Sequence, residues 1–157
     1  MAEAKTNVMR VLEQKKIPYT PHSYPHGDEA VDGLTVAALT GLAPERVFKT
    51  LVTRGASKKL LVFVIPVTGE LDLKKAAKAA REKSVEMIHV SELTALTGYV
   101  RGGCSPVGMK KLFPTYLDQS AEALATIAVS AGKIGAQVEL DPRALCGLIR
   151  GSFADLI

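Results

Sequence analysis

The stretch Val47-Phe48-Lys49-Thr50-Leu51-Val52-Thr53, followed after Arg54-Gly55-Ala56-Ser57-Lys58-Lys59 by Leu60-Leu61-Val62-Phe63-Val64-Ile65-Pro66-Val67, decides the fold class. Both runs are rich in β-branched and aromatic residues, and a glycine-containing loop joins them. They read as a β-hairpin whose connection is long enough for a bulge. The second run is apolar almost throughout, as expected of a strand covered on both faces in the middle of a sheet.

On either side of this hairpin, helical and extended patterns interleave without a regular βαβ rhythm. Thr6 to Ile17 places Val8, Val11, Leu12 and Ile17 near one helical face before Pro18 stops it. Tyr19 to Tyr24 alternates apolar and polar residues, but Pro21 and Pro25 restrict it to a sheet edge. Gly27 to Gly33 is an acidic loop, and Leu34 to Leu42 a short helix closed by Gly41. Asp72 caps a helix with an apolar stripe of Leu73, Ala76, Ala77 and Ala80 and an outer face of Lys74, Lys75, Lys78 and Arg81. Val85 to His89 is a strand, Ser91 caps a brief helix, and the glycine-rich run 98–108 is irregular. Strands follow at 112–117, 125–130 and 136–140, and Asp141-Pro142 opens a last helix. The expected fold is α+β: one domain over 1–157, with a mixed, barrel-like β-sheet surrounded by helices.

Composition narrows the function classes. A chain of 157 residues, 47% hydrophobic, buries a full core without disulfide or metal staples. Its two cysteines cannot form a disulfide framework, and Met1 to Lys16 holds neither a signal-peptide block nor a membrane span. A cytoplasmic protein with no membrane partner is the expectation. Residues 1–111 carry 17 basic and 11 acidic side chains, net +6, whereas 112–157 carry net −2. Such asymmetry suits an anionic partner, although a solvated mixed surface is the reading that the charge distribution favours. With no Trp and 5% aromatic residues, stacking platforms for extended single strands are scarce.

Few residues offer chemistry. Lys49 interrupts a strand of apolar and β-branched neighbours. It is either an ordinary solvent-facing lysine or an inward cation placed to meet a phosphate or a polarised carbonyl. Gly102-Gly103-Cys104-Ser105-Pro106 approaches a nucleophile elbow but fails twice: the following glycine, Gly108, comes one position late, and Pro106 has no N–H for an oxyanion hole. Ser105 is therefore a turn residue, while Gly102 and Gly103 let backbone approach a ligand closely. Pro25 stops His22 and His26 from sharing a helical turn, and Cys104 and Cys146 lack C-x-x-C spacing, so neither a metal nor another cofactor is expected.

Four motifs in order, Val47-Phe48-Lys49-Thr50-Leu51-Val52, Pro66-Val67-x-Gly69-x-Leu71-Asp72-Leu73-Lys74-Lys75, Thr97-Gly98-Tyr99-x-x-Gly102-Gly103-x-Ser105-Pro106-x-Gly108 and Val129-Ser130-Ala131-Gly132-Lys133, carry a resemblance over nearly the whole chain. The sequence resembles the YbaK/EbsC proteins, free-standing aminoacyl-tRNA editing domains related to the insertion domain of bacterial prolyl-tRNA synthetase. The resemblance implies a deacylase acting in trans on misacylated tRNA(Pro), foremost Cys-tRNA(Pro), with tRNA and prolyl-tRNA synthetase as partners and DNA excluded. It implies that Lys49 holds a phosphate or ribose of the terminal adenosine. Gly102, Gly103 and Tyr24 would surround the scissile carbonyl, with Thr50, Ser130, Asp32, Arg101 and Gln137 contacting substrate. For a cysteinyl ester it implies attack by the substrate's own thiol, formally lyase-like, so that no protein nucleophile is needed. Many such proteins have an aromatic residue at position 32 and an acid at 137, where this chain has Asp32 and Gln137. A non-catalytic tRNA- or nucleotide-binding module of the same fold is the alternative.

Overall fold

The computed structural model describes residues 5–157; residues 1–4, included in the N-terminal reading above, lie outside the described residues. The element order is α1 (Asn7–Gln14), β1 (Thr20–Ser23), α2 (Gly33–Thr40), β2 (Phe48–Gly55), β3 (Leu60–Pro66), α3 (Leu73–Ala80), β4 (Val85–Met87), α4 (Val90–Thr97), β5 (Thr115–Asp118), β6 (Ile127–Ser130), β7 (Ala136–Leu140), α5 (Pro142–Leu148) and β8 (Ser152–Ala154). Short 3₁₀ turns at Pro44–Arg46 and Gln119–Ala123 complete it.

The fold is α+β with mixed strand directions, but its strands do not close into a barrel. They form two sheets, β4-β2-β3-β5-β8 and β1-β7-β6, joined by a single parallel bridge between Val47 and Ala128. The hairpin β2–β3 is antiparallel with Lys49 opposite Ile65 and Leu51 opposite Phe63, while β5 and β8 add in parallel.

β3 is central, and it separates two cores. Val62 and Val64 point into one, with Val8, Leu12 and Val138; Leu61, Phe63 and Ile65 point into the other, with Ala76 and Ala77 of α3. Strict alternation of large apolar side chains thus serves both faces. β1 pairs with β7 alone, so Pro21, which has no N–H, sits on an edge strand as expected.

Local signals set several boundaries. Thr6 Oγ1 accepts the Met9 N–H at 3.2 Å, Asp72 accepts those of Lys74 and Lys75 at 2.9 and 3.1 Å, and Asp141 accepts that of Arg143 at 2.8 Å. Other expectations are corrected. α4 starts from His89, two residues before Ser91, because Glu92 reaches back to accept the His89 N–H at 3.0 Å. Leu73 is 43% exposed and leaves the stripe to Ala76 and Ala77. Extended pairing begins at Thr115 instead of 112, with Leu112 in solvent, and β8 has no forecast counterpart. No helix among the described residues is long and apolar enough to cross a membrane.

Candidate active site

A cavity of about 840 Å³ opens where the two sheets meet. Its walls come from Tyr24 just after β1, the acidic loop 28–33, the start of β2, Val67, Val100, Arg101, Gly102 and Cys104 of the glycine-rich run, Ser130 at the end of β6, Ile134, and Gln137 of β7. Lys49 and Thr50 project to opposite faces of β2, yet both reach it, because it wraps around the beginning of that strand. Lys49 is therefore a cavity residue, half-buried and without an ion-pair partner among the described residues.

Eight of the nine residues singled out above line this one space: Tyr24, Asp32, Lys49, Thr50, Arg101, Gly102, Ser130 and Gln137. Gly103 does not. A Cβ there would lie 2.9 Å from the Lys133 backbone, so its missing side chain lets two chain segments pack behind the cavity wall. Gly102 has φ +85°, and a Cβ would stand 2.8 Å from the Ala30 backbone. It lets the acidic loop close against the glycine-rich run. Gly102→Ala is expected to push loop 28–33 outward and cut activity about tenfold, with a smaller loss of thermal stability; unchanged kcat/KM would contradict this.

Hydrogen bonds hold the walls. Tyr99 donates its hydroxyl to the Val107 carbonyl at 2.5 Å, and burial pushes that hydroxyl up to about 12. Ser130 Oγ accepts the Gly132 N–H at 3.1 Å. Asp32 caps α2: it accepts the Thr35 N–H at 3.0 Å and the Thr35 hydroxyl at 2.6 Å, which hold its carboxyl below the usual range. The departure at position 32 thus has a structural use. Gln137 differs, since its Oε1 and the Oγ1 of Thr50 are buried without a hydrogen-bond partner among the described residues. Both line the cavity. A buried acceptor left unpaired costs about 1–3 kcal/mol, so their retention points to a ligand or water that completes them.

The cavity contains no activated nucleophile. Ser105 is fully buried outside it and accepts the Val107 N–H at 3.2 Å, as a turn residue does. Cys104 does line it, but burial pushes the thiol up to about 12 despite an opposing hydrogen bond from Thr97. The thiol is neutral at physiological pH. At pH 7.5 iodoacetamide is expected to alkylate Cys104 about a hundredfold more slowly than free cysteine, because thiolate depletion outweighs the gain in intrinsic nucleophilicity; mass spectrometry of the intact protein measures the rate. His22 bonds Glu139 at 2.8 Å and His26 the Gly27 carbonyl at 2.9 Å, so the two imidazoles do not converge.

Asp28, Glu29 and Cys104 belong to the site although none was named for it from sequence. The acidic loop was visible in the sequence. Its packing against Gly102 was not.

Comparison with known proteins agrees with this arrangement. The sequence model of the aminoacyl-tRNA editing domain matches residues 29–148. A protein of Enterococcus faecalis, provisionally named Cys-tRNA(Pro)/Cys-tRNA(Cys) deacylase EbsC, is 49% identical over 154 residues, covering 98% of this chain and 94% of the relative. A crystal structure described provisionally as a trans-editing enzyme for prolyl tRNA synthetase shares the fold, with a TM-score of 0.81 at 23% identity over 98% of both chains. A crystal structure of a hypothetical protein does so with a TM-score of 0.86 at 21% identity, covering 96% of this chain and 99% of its own. With the motifs of the β2 start and the glycine-rich run meeting in one cavity, and with matches of this extent, the chain belongs to the YbaK-type aminoacyl-tRNA editing domain family.

Proposed function

We propose that the protein is a deacylase acting in trans on misacylated tRNA(Pro), with Cys-tRNA(Pro) its foremost substrate. The observation that carries this reading is a cavity with positioning groups and no activated nucleophile among the described residues: Lys49 and Arg101, neither in an ion pair there, with Tyr24, Ser130 and the buried oxygens of Thr50 and Gln137 that lack partners there. The name of the Enterococcus relative points the same way.

In this reading Lys49 and Arg101 hold the phosphate and ribose of the terminal adenosine, and Gly102 keeps the loop wall close to the ester. Orientation does most of the work. The cysteinyl sulfur attacks its own ester carbonyl and the carbon–oxygen bond to the ribose breaks. The 3′-oxygen leaves with the thiol's proton, giving a cyclic thioester that water then opens to cysteine. A synthetase pocket sized for proline cannot reject a similarly small amino acid by much more than about 1–3 kcal/mol, which is why a second, hydrolytic site is useful. Prolyl-tRNA synthetase is the expected source of tRNA selectivity. Size-exclusion chromatography of the two proteins with tRNA at low salt should show co-elution.

Purified protein incubated with Cys-, Ser- and Ala-tRNA(Pro) tests the chemistry. Rapid ester loss from the cysteinyl substrate alone is expected, since serine's hydroxyl is a poor nucleophile and alanine has none. Equal rates on all three would rule out attack by the substrate thiol, and binding with no ester loss would show a non-catalytic module.

A further inference from the structure

We propose that the cavity recognises a free α-ammonium group, through Gln137 Oε1 together with the carboxylates of Asp28 and Glu29, and therefore discriminates against N-acylated aminoacyl-tRNA. The proposal rests on the function proposed above and adds a specificity to it. Three observations carry it.

Gln137 is 5% exposed, lines the cavity, and has an Oε1 that accepts no hydrogen bond among the described residues, although its neighbours on β6 and β1 are polar. A buried carbonyl oxygen without a partner is completed only by a donor that enters the cavity, and a ligand N–H can replace water there. Asp28 and Glu29 line the same cavity and form no ion pair among the described residues, even though Arg101 lines it too. Asp32, the third acid of the loop, is committed to Thr35 and is not available in the same way. The cavity is thus lined by two anions and an orphan acceptor and also by two cations, with none of these four charges in an ion pair among the described residues. An aminoacyl-tRNA terminus matches both sets. Its phosphate meets the cations, and its only cationic group, the α-ammonium, carries three donors for the acceptors.

N-acylation removes the charge and two of those donors and adds bulk, so peptidyl-tRNA and N-formylated or N-acetylated aminoacyl-tRNA would be left intact. A deacylase in a cell that is making protein needs this restraint.

The probes are 3′-(L-cysteinylamino)-3′-deoxyadenosine 5′-phosphate and its N-acetyl derivative, whose amide bond resists turnover, titrated by calorimetry under reducing conditions. Acetylation is expected to weaken binding about ten- to hundredfold. A D28N/E29Q double variant is expected to weaken the free-amine probe and leave the acetylated one nearly unchanged, shrinking the preference, and Q137L should act in the same direction. Equal binding of the two probes, binding of neither, or a preference untouched in both variants would overturn the proposal. Turnover of Cys-tRNA(Pro) and N-acetyl-Cys-tRNA(Pro) separates the two readings. Equal deacylation of both defeats this inference alone, whereas a binding preference with no deacylation of either defeats the proposed activity and leaves the ammonium site standing.

Discussion

Replacing Lys49 by Ala is expected to lower kcat/KM for deacylation of Cys-tRNA(Pro) by about 100- to 1,000-fold while leaving the fold intact. Lys49 lines the cavity and forms no ion pair among the described residues, so its charge is available to the substrate. Removing one preorganised electrostatic contact from a partly desolvated site typically costs this much. Stability should change little. Lys49 is half-buried and in no ion pair among the described residues, so truncating it breaks no pairing and removes only some alkyl packing. The melting temperature should therefore stay within a few degrees of the parent. Lys49→Arg keeps the charge but spreads it over a planar fork and should recover only part of the activity. Thermal melts by circular dichroism, run beside the deacylation assay, measure both effects. Unchanged activity in Lys49→Ala would remove the central positioning group from the reading.

Phe63→Ala should have the largest effect on stability, about 3–5 kcal/mol, lowering the melting temperature by on the order of 10 °C for a domain of this size. Phe63 is fully buried in central β3, stacked on Tyr116 with ring centroids 5.4 Å apart, and packed in the core that α3 covers. Its strand partner Leu51 lies on the same face as Lys49 and itself lines the cavity. The void left by the ring therefore sits beneath the start of the functional wall. Activity measured well below the lowered melting point should fall less than in Lys49→Ala, because the polar groups of the cavity remain. A loss of stability below about 1 kcal/mol would mean that β3 does not hold the two cores together as its register indicates.

The third contrast is within the site itself. Gln137 Oε1 and Thr50 Oγ1 are buried oxygens without a hydrogen-bond partner among the described residues, so apolar replacements there should be close to neutral for stability and harmful to ligand binding. Residues kept for packing behave in the reverse way, as Phe63 does.

Much of this protein is legible without coordinates, for reasons that are local. The alternation of Leu61, Val62, Phe63, Val64 and Ile65 announces a strand buried on both faces, and both cores are built on it. Asp72 and Asp141 announce their helices because a carboxylate three bonds from its own backbone can reach only the first free N–H groups that follow. Lys49 stands out because it interrupts a strand of apolar and β-branched residues, and Gly102 because it is one of two adjacent glycines. The β8 strand gives no such signal: Ser152 to Ala154 is three residues long and is extended only because β5 provides a parallel edge. The start of β5 at Thr115 and the cap at His89 depend likewise on partners that the local pattern does not name.

Sequence by itself therefore determined the α+β class, the central hairpin, most helix starts and the family resemblance, and through that resemblance named eight residues that line one cavity. Tertiary structure alone decided that the strands split into two sheets joined at the Val47–Ala128 bridge, that Gly103 packs behind the wall, and that Asp28, Glu29 and Cys104 share the cavity with Lys49. The physical reason is range. Periodicity and capping act within a few residues, where chain geometry leaves few choices. Sheet pairing, burial of an orphan acceptor and the unpaired state of a charge depend on groups brought together from distant parts of the chain.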